Sequence, residues 1–450
     1  MSTQQPLRES DLIFSSASSA LKDALGELKR ANLSIKNRLR SIKEDSKFVT
    51  KVADAYNLPL IANERCGSWY IPPERKAGSA YFKSTDGHFH QWGFSLRRLN
   101  LQVLDVLEEY GGCIIVDSTR RGKSMPDALS KTVPIWIAVL NRLIFPDDAD
   151  AHDLRTPLDV ISESEHAQIE ARLDECVAAA RGLQLDLQRL RDKLHNKPIQ
   201  VTWQRPGDTL PEEPDNDPAN LVVLCTASNQ TSNATSATSD YVQGAADDPE
   251  SWSCGLDSSC FWSHRNELLS TAEDDLPQLI DRLMADARES SSIRSQVLIK
   301  PTSCLWIGDN AAATSQGHGF DVVVSCSIES IAPLSKDSKP QYVNLVCSTG
   351  KIGSRQLRAQ LPKLEQLRSS LTSTSKVLVT CESGKDLGVG AALAMLCMFF
   401  DEQGTWSHQT SELNVNKTVI KQRLSWIMVS MPDASPSRAT LQSVNAFLMG

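Results

Sequence analysis

Cys381-Glu382-Ser383-Gly384-Lys385-Asp386-Leu387-Gly388 gathers a thiol, two carboxylates, a hydroxyl, an amine and two glycines within eight consecutive residues. Lys376-Val377-Leu378-Val379-Thr380 before it is an apolar, β-branched run, and Val389 to Phe400 after it has helix-forming composition. A strand, a glycine-containing loop and a helix N-terminus aim free backbone N–H groups into the loop. The helix dipole adds partial positive charge there, so the stretch can hold an anion. The plainer alternative is a tight strand-to-helix turn around a buried, inert cysteine.

The loop resembles the phosphate loop of the cysteine-dependent dual-specificity phosphatases, His-Cys-(five residues)-Arg. Two positions depart from it: Thr380 stands where the histidine would be, and Leu387 where the arginine would be. Without a bidentate guanidinium, a phosphoenzyme transition state loses its charged clamp. The loop is therefore expected to hold phosphate without cleaving a phosphomonoester, and Cys381 is not expected to be a nucleophile.

Two further stretches carry polar chemistry. In Lys83-Ser84-Thr85-Asp86-Gly87-His88-Phe89-His90, Asp86-Gly87 marks a turn, and Asp86 and His88 offer a carboxylate and an imidazole as candidate general bases. His90 reads as incidental. In the second stretch, Gly111 to Ser124, an apolar strand ends in Asp117-Ser118-Thr119-Arg120-Arg121-Gly122-Lys123. Charged and hydroxyl groups at the carboxyl end of a strand sit where open α/β sheets bind ligands, so this is a second candidate phosphate loop, with Asp117 a catalytic candidate. It lacks the paired acids and Gly-Thr ending of the type I phosphoribosyltransferase loop. Cys254, Cys260 and His264 supply only three ligands at a spacing that matches no zinc motif.

These loops need elements to position them. A helix or helix pair spans Asp11 to Asn57, and Lys29, Arg30, Lys36, Arg38, Arg40, Lys43, Lys47 and Lys51 outweigh Glu44 and Asp45 within it. That excess is either a solvated face or a surface for RNA phosphates. Phe94 to Leu107 reads as an amphipathic helix with Arg97 and Arg98 near its start, and Ala128 to Phe145 as a buried helix. Ser162 and Glu165 form a capping box that opens one long helix, or a pair, to Lys197. Strands follow at Ile199–Trp203 and Leu221–Cys225. The Ser/Thr/Asn-rich stretch from Ala227 to about residue 247 reads as a flexible insertion. A polar helix over Asp274 to Ser290 precedes alternating strands and helices from Val297, the pattern of a mainly parallel sheet.

Composition sets the frame. The chain has 450 residues, 40% hydrophobic and 23% charged, enough for two or three domains. A net charge of −8 argues against a uniformly basic nucleic-acid coat, though not against a local basic surface. Eleven scattered cysteines fit a reducing compartment. With no signal core and no apolar span of membrane length, the chain reads as a soluble cytoplasmic protein.

Several of these segments together are similar to one family, the fungal and plant initiator-tRNA 2′-O-ribosyl phosphate transferases. They are Gly67-Ser68-Trp69-Tyr70, Phe82 to His88, Trp92 to Leu101, Asp117 to Pro134 and Cys381 to Gly390. The resemblance spans essentially the whole chain, with the Ser/Thr-rich insertion as its variable part. It implies an α/β protein in two parts: a family-specific, α+β N-terminal domain over residues 1–290 and a dual-specificity-phosphatase-like α/β domain over 291–450. It implies transfer of ribose 5-phosphate from 5-phosphoribosyl 1-pyrophosphate (PRPP), with Mg²⁺, to the 2′-hydroxyl of adenosine 64 of initiator methionine tRNA. That modification would keep the tRNA out of elongation.

On this reading Cys381, Glu382, Ser383, Gly384, Lys385, Asp386, Leu387 and Gly388 would hold a donor phosphate, with Asp386 a candidate Mg²⁺ or ribose contact. Lys83, Ser118, Thr119, Arg120, Arg121 and Lys123 would hold donor or tRNA phosphates. Asp86 or His88 would be the base, and Lys29, Arg30, Lys36, Arg38, Arg40, Arg97 and Arg98 would touch the tRNA backbone. Beyond Asp386 no metal ligand is inferred, and no obligate protein partner. The rivals are a non-catalytic phosphatase-like module for phosphorylated protein or RNA, and an active cysteine phosphatase.

Overall fold

The computed structural model describes residues 33–84, 92–96, 98–212, 220–230, 240–290, 296–316, 319–329, 340–369, 371–372, 374–407, 415–431 and 433–450, without side chains for 288–290 and 315–316. Two five-stranded sheets, each covered by helices, organise the chain.

Helix α1 (Ile35–Tyr56) opens the first unit. Ser34 caps it, and the Glu273 carboxylate accepts the free N–H groups of Ile35 and Lys36 at 2.8 and 2.9 Å. That is a favourable place for negative charge at a helix N-terminus. Strands β1 (Leu60–Asn63), β2 (Lys76–Ala80), β3 (Gly112–Asp117), β4 (Ile199–Gln204) and β5 (Asn220–Thr226) pair in the order β2-β1-β3-β5-β4. Every pairing is parallel. The expected α+β N-terminal part is thus a parallel sheet with helices on both faces.

Alternation along the central strands explains the two covers. Ile114, Val116, Val223 and Cys225 face α1, α7 (Ser258–Ser270) and α8 (Leu276–Ser290). Cys113, Ile115, Val222 and Leu224 face α2 (Gln102–Tyr110), α3 (Val133–Ile144) and α6 (Leu187–Lys193). Both sets of side chains are buried, so β3 and β5 read as continuous apolar runs.

Three sequence expectations change here. The helix drawn from Phe94 begins only at Gln102, and residues 98–101 form an irregular lead-in held by Asn100, whose Oδ1 accepts from the Tyr81 N–H at 2.9 Å. The segment from Ser162 to Lys197 is three short helices: α4 (Glu163–Glu170), α5 (Leu173–Arg181) and α6. The insertion at 227–247 is anchored on both flanks. Ala227, Val242, Ala245 and Ala246 are buried, and Tyr241 donates to Asp45 Oδ1 at 2.8 Å; residues 231–239 lie outside the described residues. Its polar composition hid these few apolar positions.

The second sheet contains β6 (Val297–Leu298), β7 (Leu305–Asp309), β8 (Val322–Cys326), β9 (Gln341–Leu345) and β10 (Val377–Cys381), ordered β6-β7-β10-β8-β9. Only the edge strand β6 runs antiparallel. One face packs α10 (Gly350–Gln360), α11 (Leu387–Phe399), α12 (Lys417–Ser430) and α13 (Arg438–Leu448) into the larger core. The other face is closed by α9 (Asn310–Gln316), Phe320 and Trp306. Helix α11 is apolar all round, and of its residues only Met398 is not fully buried, which makes it the central helix of this unit.

Candidate functional site

Strand β10 was the last of its sheet to be added in sequence, yet it lies between β7 and β8. The loop that follows it therefore opens where the chain order reverses, the position at which open parallel sheets hold ligands. A cavity of ≈ 710 Å³ is lined there by Asn310, Cys326, Glu329, Ser348, Thr349, Gly350, Cys381, Ser383 and Asp386, among others. The start of α10, at Gly350, faces the same cavity as the start of α11, so two helix N-termini point toward it.

Within the loop, Cys381 is buried and Ser383 Oγ lies 3.9 Å from its sulfur. Gly384 adopts φ +68° against the backbone of Gly308 and Asp309, and Gly388 runs so close that an added Cβ would stand 3.3 Å from Cys381 Sγ. Glu382 and Ser383 are exposed at the cavity rim. The Lys385 N–H donates to Ser383 Oγ at 3.2 Å, but its ammonium turns away to Asp433 at 2.8 Å. Asp386 accepts from the Ser437 N–H at 2.8 Å and from the Thr440 hydroxyl at 2.6 Å, both on Oδ1. Leu387 is buried in the apolar core, 5% exposed. Burial pushes the thiols of Cys326 and Cys347 up, the latter to about 11, so the cavity wall carries neutral sulfur.

The second candidate loop lies at the corresponding place in the first sheet, where β1 and β3 leave the reversal between β2 and β3. Asp117 is wholly buried there. Its Oδ2 accepts from Asn63 Nδ2 at 2.8 Å and Arg65 Nε at 3.3 Å. Its Oδ1 accepts from Arg65 Nη2 at 3.1 Å, the Ser118 N–H at 2.7 Å and Cys66 Sγ at 3.0 Å. So many donors make Asp117 a fixed strut, in place of the reactive carboxylate expected of a catalytic candidate. Arg65 also donates to the Ser118 carbonyl and pairs with Asp247 at 3.1 Å. Burial works against the Arg65 charge, but Cys66, Asp117 and Asp247 outweigh it and push its pKa up. Burial raises Asp247 to about 6 despite the arginine, while burial and then Asp117 push the Cys66 thiol up.

The remaining residues of this loop face outward or bind locally. Thr119 is buried against Ser228, whose hydroxyl donates to its carbonyl at 3.1 Å. Arg120 and Arg121 are exposed, and Lys123 pairs with Asp127 at 3.3 Å. Lys83 is exposed, and its carbonyl accepts from Thr132 Oγ1 at 2.8 Å. Asp86 and His88 lie outside the described residues, as do His90, Lys29, Arg30 and Arg97.

The basic helix is less open than its composition suggests. Lys36 Nζ donates to the Thr271 carbonyl at 2.6 Å. Arg38 donates to the Ala245 carbonyl at 2.8 Å and stacks over Trp252, and burial lowers its pKa. These two cations face into the fold, whereas Arg40 is exposed. Cys254, Cys260 and His264 gather no metal set: among the described residues no group of three His, Cys, Asp or Glu side chains could hold an ion.

The two units touch where Gln422 Nε2 donates to Gln184 Oε1 at 2.7 Å, and between the segment after β2 and the β10–α11 loop. Arg98 stacks over Tyr81 at 4.0 Å and donates to Ser435 Oγ at 2.8 Å, while the Ser435 N–H donates to the Lys385 carbonyl at 2.8 Å. Tyr81 directly follows β2, so residues at the carboxyl end of the first sheet reach the β10–α11 loop of the second through Arg98.

Residues 28–285 match the model described as the Rit1 N-terminal domain, and residues 341–448 match the Rit1 DUSP-like domain. The chain belongs to the Rit1 family. A Saccharomyces cerevisiae protein named tRNA A64-2′-O-ribosylphosphate transferase is 34% identical over 486 aligned positions, covering 94% of each chain. An uncharacterized Schizosaccharomyces pombe protein is 36% identical over 92% of this chain and 94% of its own. Among solved structures, human DUSP28 overlaps 35% of this Rit1-family chain and 96% of its own, at 13% identity and TM-score 0.27. No helix among the described residues is long and apolar enough to cross a membrane.

Sequence reasoning missed Arg65, Cys66, Asn63 and Asp247. The first three follow an apolar run, Leu60-Ile61-Ala62, whose strand character the nearby prolines obscured; Asp247 comes from a segment taken for an insertion.

Proposed function

We propose that this protein transfers ribose 5-phosphate from PRPP to the 2′-hydroxyl of adenosine 64 of initiator methionine tRNA, acting as a pentosyltransferase. The observation that carries the reading is the identity, along 94% of both chains, with a relative named for ribosylphosphate transfer at tRNA A64. The cavity after β10 supplies the chemistry. Backbone amides and two helix N-termini suit the phosphates of a donor, and buried Leu387 leaves no guanidinium for phosphomonoester cleavage.

In the transfer, the 2′-oxygen of the tRNA forms a bond to C1 of the donor ribose as the C1–oxygen bond to pyrophosphate breaks. Pyrophosphate leaves with the electron pair, through a state of oxocarbenium character, and the 2′-hydroxyl proton passes to a base. Attack opposite the leaving group inverts C1 to a β-linkage. Asp86 and His88 are the base candidates. Ser383, the loop amides and the start of α10 hold charge on the donor. Asp117 acts through Arg65 and Asn63 to fix the facing loop, and Arg98 holds the two units in register.

Glu329 and Asp386 line the cavity and Glu382 stands on its rim, but they gather into no cage. This suits Mg²⁺, which keeps several waters and needs one or two carboxylates beside substrate phosphates. Bound there, it would neutralise charge on the leaving pyrophosphate.

Incubation with initiator tRNA and ribose-labelled PRPP tests the reading. Label at adenosine 64 is expected; no label in tRNA overturns it and returns the cavity to a phosphate-binding module.

A further inference from the structure

Helices α10 and α13 pack side by side, joined by the Ser354–Thr440 hydroxyl contact at 3.0 Å. Neither contains an acidic residue: their sequences are Gly-Lys-Ile-Gly-Ser-Arg-Gln-Leu-Arg-Ala-Gln and Arg-Ala-Thr-Leu-Gln-Ser-Val-Asn-Ala-Phe-Leu. Lys351, Arg355 and Arg358 are all exposed. Spaced i, i+4, i+7, they fall within an arc of about 60° on one helical face. Arg438 is exposed at the start of α13. Among the described residues, none of the four forms an ion pair within the chain.

Two points set this surface apart on a chain of net charge −8. Lys351 and Arg438 sit in the first turns of their helices, where the dipole disfavours a cation. An external anion would remove that conflict. The ridge also starts at the cavity, since Gly350 lines it and the Asp386 carboxylate holds the start of α13, and it leads away over about 10 Å of helix. By contrast, Lys36 and Arg38 on the N-terminal basic helix are bound inside the fold.

We infer that Lys351, Arg355, Arg358 and Arg438 form the surface on which the phosphate backbone of the acceptor RNA duplex lies, presenting its 2′-hydroxyl to the cavity after β10. The inference rests on the transfer reading for its choice of RNA. Charge complementarity selects the partner: exposed guanidinium and ammonium groups that form no ion pair among the described residues match a polyphosphate backbone, whose contacts position a duplex.

The test is tRNA binding by the full chain across a salt series. The triple variant Lys351→Gln, Arg355→Gln, Arg358→Gln should weaken tRNA binding at least tenfold near 0.1 M salt and lower the slope of log K against log[salt] by about 2, at roughly 0.7–0.9 per lost phosphate contact. PRPP binding should be unchanged in the double variant Arg355→Gln, Arg358→Gln, whose residues lie beyond the first turn of α10, and the charge-conserving Lys351→Arg, Arg355→Lys, Arg358→Lys variant should bind tRNA as the wild type does. A triple Gln variant with wild-type slope and affinity overturns the inference. The transfer reading fails separately: a wild-type chain that binds tRNA through this ridge yet transfers no label keeps the surface and loses the reaction.

Discussion

Asp386 and Thr440 meet at 2.6 Å, carboxylate to hydroxyl, so the phosphate loop and the helix that follows it by some fifty residues are tied by a single side chain. The same oxygen accepts the Ser437 N–H, so Asp386 caps α13 from outside it. Removing it with Asp386→Ala should cost about 1.5–3 kcal/mol, the range for hydrogen bonds to a charged group. Denaturant unfolding of the variant, followed in the C-terminal unit, reads this. Asp386→Asn, which keeps an acceptor oxygen, should recover part of it. A full-stability Ala variant would leave Asp386 free for the ligand role.

Cys381 gives a sharper contrast between reactions. In a phosphatase its loss abolishes turnover; in a transferase that only holds the donor, Cys381→Ser should keep label transfer to tRNA close to wild type. Parallel assays of transfer and of phosphomonoester hydrolysis decide it. Hydrolysis by the wild type that vanishes in the Ser variant would overturn the role given to Leu387.

Arg65 balances one buried and one partly buried carboxylate, and Arg65→Met would leave both without a counter-charge. Breaking such a partly buried network by removing one partner costs about 3–5 kcal/mol. The expected result is a large fall in thermal stability of the N-terminal unit, with tRNA transfer lost alongside it. Asp117→Asn should cost less, because Oδ1 can still accept from the Ser118 N–H and from Arg65.

Asp247 makes the same cluster pH-dependent. Burial raises its pKa to about 6, above the unfolded value of 3.8, so the folded state holds a proton that the unfolded state has released. Stability from this group is therefore present below about pH 4 and is lost as pH rises through about 6, by at most about 3 kcal/mol. Asp247→Asn should remove that slope, and unfolding curves of variant and wild type between pH 4 and 7 give the difference directly.

Gly244 tests the corrected insertion. Its φ is +65° and an added Cβ would stand 2.6 Å from the Thr119 carbonyl, against the backbone of the second loop. Gly244→Ala should destabilise by about 1–3 kcal/mol through strain and overlap. A neutral outcome would restore the reading of this stretch as a flexible appendage.

Much of the second unit was legible because its signals are local. Val377 to Thr380 is a run of buried strand residues, and the loop and the all-apolar α11 follow without interruption. The phosphate-loop geometry was thus written in one stretch of sequence. The first unit was harder because its site is assembled from distant pieces. Asp117 was recognised as a strand-end acid, but Arg65, which neutralises it, and Asp247, the second acid that Arg65 pairs with, come from opposite sides of it in sequence. A charge run likewise says nothing of direction. Lys36 and Arg38 share a basic helix with Arg40, yet only the carbonyls of Thr271 and Ala245, more than two hundred residues away, turn them inward.

The bracing of the phosphate loop has a consequence in time. The Asp386 contacts reach 51 and 54 residues downstream, to Ser437 and Thr440. At about 5–20 residues per second of synthesis, the loop leaves the ribosome seconds before the residues that hold it can be made. The nascent protein therefore carries the Cys381–Gly388 sequence before it can hold that loop in shape.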